Sequence, residues 1–220
     1  MDEALLKGVA SQLRQPHGEY AIQVGEKMNV GNAYINRYTI EALQVSRHDN
    51  ILEIGMGNGF FVKDILAVDD SIKYCGCDFS VIMVEEANKM NAAFVAEGRA
   101  SFRLCDAAAL PFEAGTFNKI CTVNTIYFWD DHKATLAEIR RVLQTNEQLI
   151  IAIRPKETMQ HYPFVKYGFT LFSKTALIDF LSSNGFTVTS IIEKDEPPQE
   201  IGGVSMTVES LIVCAVKNGG

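Results

Sequence analysis

Three glycines in five residues, Gly55-Met56-Gly57-Asn58-Gly59, follow directly on the run Ile51-Leu52-Glu53-Ile54 and precede an amphipathic stretch. A bend of this composition takes positive φ without a Cβ penalty and lets a ligand approach bare backbone. Dinucleotide-binding turns use G-x-G-x-x-G; here the spacing is G-x-G-x-G, and Phe60 stands where the third glycine of a dehydrogenase would be. Glu53 would repel a pyrophosphate there but attract an ammonium, directly or through water. Asp78 closes the next apolar run, Ile72–Cys77, and a carboxylate can accept hydrogen bonds from both hydroxyls of a ribose. NAD sites use an acid in the same way, and a helix cap ahead of Ser80 would also explain Asp78, so this residue separates nothing by itself. Asp106 closes the following run, Ser101–Cys105, and can accept from an adenine amino group. Acids at three consecutive strand ends beside a bare bend fit a cationic, phosphate-free adenosyl ligand. S-adenosylmethionine (SAM), with its ammonium and sulfonium, has that chemistry.

The elements that must carry these residues are legible in the hydrophobic pattern. Residues 1–48 read as helical, with breaks at Gln15-Pro16-His17-Gly18 and Asn29-Val30-Gly31-Asn32. Strands are expected at Ile51–Ile54, Ile72–Cys77, Ser101–Cys105, Asn118–Val123 and Leu149–Ile153. Helices are expected between them at Phe60–Val68, Val81–Glu97 and Ala134–Leu143. This alternation predicts parallel strands joined by crossover helices. The last third changes rhythm. Ser173 is placed to cap a helix over Lys174–Ser183, and strands at Val188–Glu193 and Ser210–Val216 flank a predicted loop, Asp195–Gly203, with no helix between them. Such strands can pair antiparallel. The fold class is therefore α/β: a doubly wound, Rossmann-like, mostly parallel sheet ending in an antiparallel hairpin. Residues 1–48 are expected to form a helical lid and residues 49–217 the ligand-binding domain.

Composition narrows the partners. The net charge of −7 and the scatter of basic residues, with no run longer than Arg140-Arg141, exclude the clustered cations that a nucleic-acid partner needs. No segment approaches the ~20 apolar residues of a spanning helix, and the start MDEALLKGVASQLRQ lacks the apolar core of a secretory signal. A cytoplasmic protein is expected. Cys75, Cys77, Cys105, Cys121 and Cys214 fall among apolar strand residues and read as core; Cys75/Cys77 is a CxC pair rather than the CxxC of metal and redox sites. No metal site is expected.

The ordered motifs resemble one family. ILEIGMGNG, CDFSVIMVEEANKMN, LCDAAALPFEAGTFNKI and LAEIRRVLQTNEQLII, spread over roughly residues 50–186, are similar to the successive motifs of class I SAM-dependent methyltransferases, in the group that includes the ubiquinone/menaquinone biosynthesis methyltransferases. The resemblance implies a seven-stranded sheet with a reversed final hairpin. It also implies that Glu53, Gly55, Gly57, Gly59, Asp78, Phe79, Met83, Asp106 and Ala107 line the SAM pocket, with Met83 and Phe79 flanking the adenine. Two positions depart from the family pattern: Asn118 replaces an Asp, and Thr145-Asn146-Glu147 replaces a P-G-G turn. Asn tolerates the left-handed conformation that Gly would take.

Methyl transfer requires in-line alignment and an environment suited to dispersing charge. Asn124, after the fourth strand, is placed to face the methionine part of SAM. Tyr127 and Trp129, with Phe128, are expected to wall a small, partly apolar acceptor. Arg154 and the aromatic insertion around Tyr162 extend that wall, with Arg154 placed for an acidic group on the acceptor. His132 and His161, and less directly Tyr127, are the candidates for a base; a surface or helix-cap role is the plainer reading of both histidines, and packing explains Tyr127 equally well. Tyr20, Met28 and Asn29 lie where a lid would reach the cofactor. A non-catalytic SAM-binding sensor or partner subunit is the alternative to an active methyltransferase.

Overall fold

The computed structural model describes residues 2–201 and 203–219. Seven strands form one sheet: β1 (Asn50–Ile54), β2 (Lys73–Asp78), β3 (Ala100–Leu104), β4 (Phe117–Val123), β5 (Leu143–Ile153), β6 (Phe186–Ile201) and β7 (Val204–Lys217). Their order is β3-β2-β1-β4-β5-β7-β6. The first five run parallel, and β7 inserts antiparallel between β5 and β6. This is the mostly parallel sheet with a reversed final hairpin that the sequence pattern predicts. The central strands are buried on both faces, as their aliphatic runs require. Alternation along β5 divides them: Leu149 and Ile151 join one cluster with Leu52, Ile120 and Leu136, while Ile150 and Ala152 join another with Ile51, Ile65 and Ile212.

Helices cover both faces. The N-terminal part forms α1 (Glu3–Arg14), α2 (Ala21–Gly31) and α3 (Ala33–Leu43). Ile35 and Leu43 of α3 are completely buried in the second cluster. After β1 comes α4 (Val62–Leu66), shorter than the apolar stretch Phe60–Val68 predicts, because the glycine bend holds Phe60 and Phe61 outside the helix. The helix expected over 81–97 is two pieces, α5 (Val81–Met90) and α6 (Ala92–Ala96). Asn91 divides them, with its side-chain amide donating to the carbonyls of Gly59 and Ala87. Then follow α7 (His132–Val142), capped by the Asp131 carboxylate, the short α8 (Lys156–Met159) and α9 (Lys174–Ser182), capped by Ser173 as expected.

Three local expectations are corrected. β5 begins at Leu143, so Thr145-Asn146-Glu147 is a bulge within a strand rather than a turn before one. The pairing jumps from Phe117↔Leu143 to Lys119↔Gln148, and Asn146 takes the positive φ of 63°. The loop expected over 195–203 is largely strand: β6 runs through Pro197-Pro198, which lack N–H donors and are taken up by a register shift between Glu196 and Gln199 on the edge of the sheet. Cys105 lies just beyond β3. Asn118 has a reason to be an amide. Its Oδ1 accepts from the Asn50 N–H (2.7 Å) while its Nδ2 donates to buried Asp49 (2.7 Å); an aspartate would set two carboxylates together. Among the described residues, no helix is long and apolar enough to cross a membrane.

Candidate cofactor cleft and acceptor chamber

The bend after β1 is fixed by its backbone. Gly55, Gly57 and Gly59 all have positive φ, and the Gly55 N–H donates to the Cys77 carbonyl at 2.7 Å. A Cβ on Gly55 would collide with the Thr125 methyl, whereas one on Gly57 would meet nothing within 4 Å and would project into open space. That space is a cleft of about 290 Å³ along the tips of β1, β2, β3 and β4. Asp78 stands at its centre. Its Oδ2 accepts from the Gly57 N–H (3.0 Å) and its Oδ1 from the Ser80 N–H (2.8 Å). Burial nevertheless pushes this carboxyl up to about 6, and the N–H groups of Ser80, Gly57 and Phe79 only partly offset that rise. A buried carboxylate of this kind is short of donors, and a vicinal diol would supply two. The Ser80 hydroxyl, not Asp78, caps α5, so the cap reading of Asp78 is corrected.

Glu53 lies deeper than the sequence implies. It is buried, its Oε2 accepts from the Tyr74 hydroxyl at 2.6 Å, and its carboxyl is raised by burial, with the Tyr74 hydrogen bond pulling it down and Asp78 adding to the rise. It borders a pouch of about 40 Å³ that also touches Gly55, Gly57, Asn29, Asn32 and Asn58. The pouch has room for a bridging water or a small cationic group and polar walls to hold it. Along the other end of the cleft, Met83 is buried, Phe79 is 38% exposed, Ala107 is half-buried, and Asp106 is exposed with its Oδ1 accepting from the Ala108 N–H.

The N-terminal segment closes the top. Leu13, Arg14, Pro16, Met28 and Asn32 all border the cleft. The segment is pinned there by Ser80 Oγ donating to the Pro16 carbonyl (2.6 Å), Gln15 Nε2 to the Phe79 carbonyl (2.9 Å), and Arg14 Nη2 to both Asp130 oxygens (2.7 and 2.8 Å). Of these residues only Met28 stands out in the sequence. The others lack a motif because their positions depend on helix docking rather than spacing.

Beyond Asn124 the cleft opens into a second cavity of about 770 Å³, between α1, α2 and the aromatic segment that follows β5. Leu13, Met28, Asn32, Asn124 and Phe128 border both spaces. Asn124 has φ 56°; its Nδ2 donates to Asn32 Oδ1 (3.2 Å) and its Oδ1 accepts from the Arg154 N–H (3.2 Å). The chamber is walled mainly by apolar and aromatic groups, among them Val9, Tyr127, Met159, Tyr162, Phe164 and Phe169. Tyr127 contributes its ring, but its hydroxyl is occupied, donating to the Arg154 carbonyl and accepting from the Arg154 N–H, both at 2.7 Å. Burial pushes that phenol far above its ordinary range, so it stays protonated. Tyr162 borders the chamber and donates to Gln199 Oε1 at 3.1 Å. Arg154 is buried, and the acidic group it meets is one of the chain's own. Its Nε and Nη2 reach Glu196 at 3.3 and 2.8 Å, and Nη2 also donates to the Gly31 carbonyl at 2.6 Å.

Three candidates fall elsewhere. Trp129, expected on the acceptor side, borders the cofactor cleft instead. His132 borders neither cavity: its Nε2 faces the Ile126 carbonyl at 2.9 Å and its ring lies among Trp129, Phe172 and Phe180. A carbonyl only accepts, so that nitrogen carries the proton and offers no lone pair. His161 is exposed and borders neither cavity. The imidazole at the chamber is one that sequence reasoning passed over, His17, whose Nδ1 lies 2.7 Å from the Gln15 carbonyl. Only its place in a break between helices marks it in the sequence.

Comparison with known proteins fits this geometry. A methyltransferase-domain family matches residues 51–146, the segment from β1 into the bulge of β5. YdaC, an uncharacterized methyltransferase of Bacillus subtilis, is 27% identical over 60% of this chain and 71% of its own length. The demethylmenaquinone methyltransferase of Beutenbergia cavernae is 31% identical over 67% of this chain, which spans only 58% of that relative. A SAM-dependent methyltransferase of Aquifex aeolicus superposes with a TM-score of 0.70 at 17% identity, covering 88% of this chain and 96% of that one. Residues 51–146 carry a methyltransferase domain, and the chain is an enzyme of the methyltransferase kind with the fold of the Aquifex aeolicus SAM-dependent methyltransferase.

Proposed function

We propose that the chain transfers the methyl group of SAM to a small, partly apolar acceptor held in the chamber beside Asn124. One observation carries this reading: the cofactor cleft and a chamber of about 770 Å³ meet along shared residues, and that volume is within the usual range for small-molecule sites, roughly 300–1,000 Å³. Bound SAM supplies an electrophilic methyl; the acceptor's electron pair forms the new bond, and the old bonding pair stays on sulfur as the thioether of S-adenosylhomocysteine. Asp78 takes the ribose hydroxyls and Asp106 the adenine amino group. Phe79, Met83 and Ala107 flank the base, and the bare Gly55–Gly59 backbone passes under the adenosyl group. Glu53, through its pouch, draws the ammonium, and Asn124 fixes the methionine portion at the junction.

Tyr127, Tyr162 and Arg154 shape the acceptor's side, with α1 and α2 as the lid that excludes water over the transfer. Neither His132 nor His161 is placed to act as a base. The test has two arms. Calorimetry with S-adenosylhomocysteine should show one site per chain, and isotopic methyl-SAM incubated with fractionated small molecules from cell extract should label an organic-extractable product. Labelling of protein or nucleic acid alone would overturn the small-molecule reading.

A further inference from the structure

The charges around the two cavities differ in sign. Asp78, Asp106, Asp130 and Asp131 border the cofactor cleft, with Arg14 as its one cation among the described residues, paired to Asp130. In a chain of net charge −7, no aspartate or glutamate among the described residues borders the chamber, whereas Lys27 and Arg154 both do. These two cations share one wall. Lys27 and Gly31 lie one turn apart on the same face of α2, and Arg154 donates to the Gly31 carbonyl. Glu196 and that carbonyl take Nε and Nη2 of the guanidinium, leaving Nη1 without a protein acceptor among the described residues. Among the described residues the lysine ion pairs involve Lys7, Lys89, Lys119 and Lys174, and Lys27 has none.

We infer that the acceptor is an apolar organic anion whose negative group lies against the Lys27–Arg154 wall while its apolar body fills the aromatic side of the chamber. This inference rests on the methyltransferase reading and sharpens its acceptor class. Arg154 is buried against Glu196, while Lys27 is exposed and carries no paired acid among the described residues. A wall with that surplus positive charge, flanked by apolar surface, favours an anion over a neutral ligand of the same shape through the added Coulombic contact.

Two fluorescent probes with one ring skeleton test the assignment, 8-anilinonaphthalene-1-sulfonate and neutral N-phenyl-1-naphthylamine. Both are titrated against the full chain saturated with S-adenosylhomocysteine, so that the cleft is filled. The sulfonate should bind about fivefold or more tighter than the amine. Lys27→Ala should remove most of that preference and leave the amine unchanged, and Lys27→Arg should retain it. Val9→Trp, which fills the chamber, should abolish both signals. Equal affinities, a preference for the amine, an unchanged ratio in Lys27→Ala, or sulfonate binding that survives Val9→Trp each overturn the inference. Calorimetry on the same preparation keeps the two readings apart: absence of homocysteine-adenosyl binding defeats the cofactor assignment, while the probe ratio reports on the chamber alone.

Discussion

The cofactor cleft and the chamber share the wall at Asn124 yet are held in different ways. The cleft is made of strand tips and the turns that leave them. Its key contacts are backbone ones, such as Gly57 N–H to Asp78 and Gly55 N–H to the Cys77 carbonyl, and it is rimmed by acids. The chamber is made of side chains from α1, α2 and the aromatic segment beyond β5, with cations and, among the described residues, no acids at its border. A site fixed by sheet backbone keeps its geometry whatever covers it. One assembled from docked helices changes shape with each lining residue. That difference predicts that changes in the cleft act on the cofactor with large effects, and that changes at the chamber act on the acceptor while leaving the cofactor nearly untouched.

The largest effect belongs to Gly57→Val. The position has φ 59° and an open Cβ direction, so valine is both strained and thrust into the ligand's space. SAM affinity should fall by ~100-fold or more. Circular dichroism with calorimetry separates loss of the pocket from loss of the fold; a folded variant with unchanged affinity would show that the ligand does not pass over this bend. Next comes Asp78→Ala, which removes an acceptor from two ligand hydroxyls and should cost ~1.5–3 kcal/mol, on the order of 10–100-fold in the dissociation constant. Neither change should alter the ratio of probe affinities in the chamber.

Proton linkage at Asp78 gives a smaller, graded effect. Its carboxyl titrates at about 6 in the free protein, against an ordinary 3.8, because burial disfavours the charge. Since the folded-state value is raised, the free protein's stability falls as pH climbs from about 4 through 6, by on the order of 3 kcal/mol at most. Ligand hydroxyls prefer the ionised form, so binding runs the other way: affinity for S-adenosylhomocysteine should rise with pH up to about 6 and then level, with a slope of at most about tenfold per unit. Glu53, also raised by burial and facing Asp78, broadens the bend in the profile. A flat profile between pH 5 and 7 would mean that ligand binding does not depend on the ionised carboxylate.

The same contrast explains what the sequence discloses. The sheet, its reversed hairpin, and Gly55, Gly57, Asp78 and Asp106 around the cleft are legible because they follow strand ends, where short-range spacing decides position. Breaks in elements are not legible where a side chain far along the chain intervenes, as with Asn91 reaching Gly59, or where Pro197-Pro198 looks like a loop but is absorbed by an edge-strand bulge. Trp129 lies at the cofactor cleft, one wall away from the acceptor side that its spacing implies, because a 3-10 turn over Ile126–Phe128 comes just before it. Leu13, His17, Lys27 and Asn32 carry no spacing signal; they reach the cavities only because α1 and α2 dock over them.

The smallest expected effect tests that docking. Arg14 and Asp130 are paired at 2.7 Å, but their side chains are 37% and 84% exposed, and such surface pairs contribute little, about 0–1 kcal/mol. The pair joins the end of α1 to the rim of the cofactor cleft, where Ser80 Oγ–Pro16 and Gln15–Phe79 hydrogen bonds already hold the next residues. Arg14→Ala should therefore weaken S-adenosylhomocysteine by no more than about fivefold, with the loss shrinking at high salt as screening removes the pair's contribution in the parent protein. Ser80→Ala removes a hydrogen bond buried within the same clamp and should cost more than Arg14→Ala, without the salt dependence. If Arg14→Ala proved the more damaging of the two, the lid would be held by charge rather than by the buried hydrogen bonds. The cofactor cleft would then depend on its covering helices as much as the chamber does.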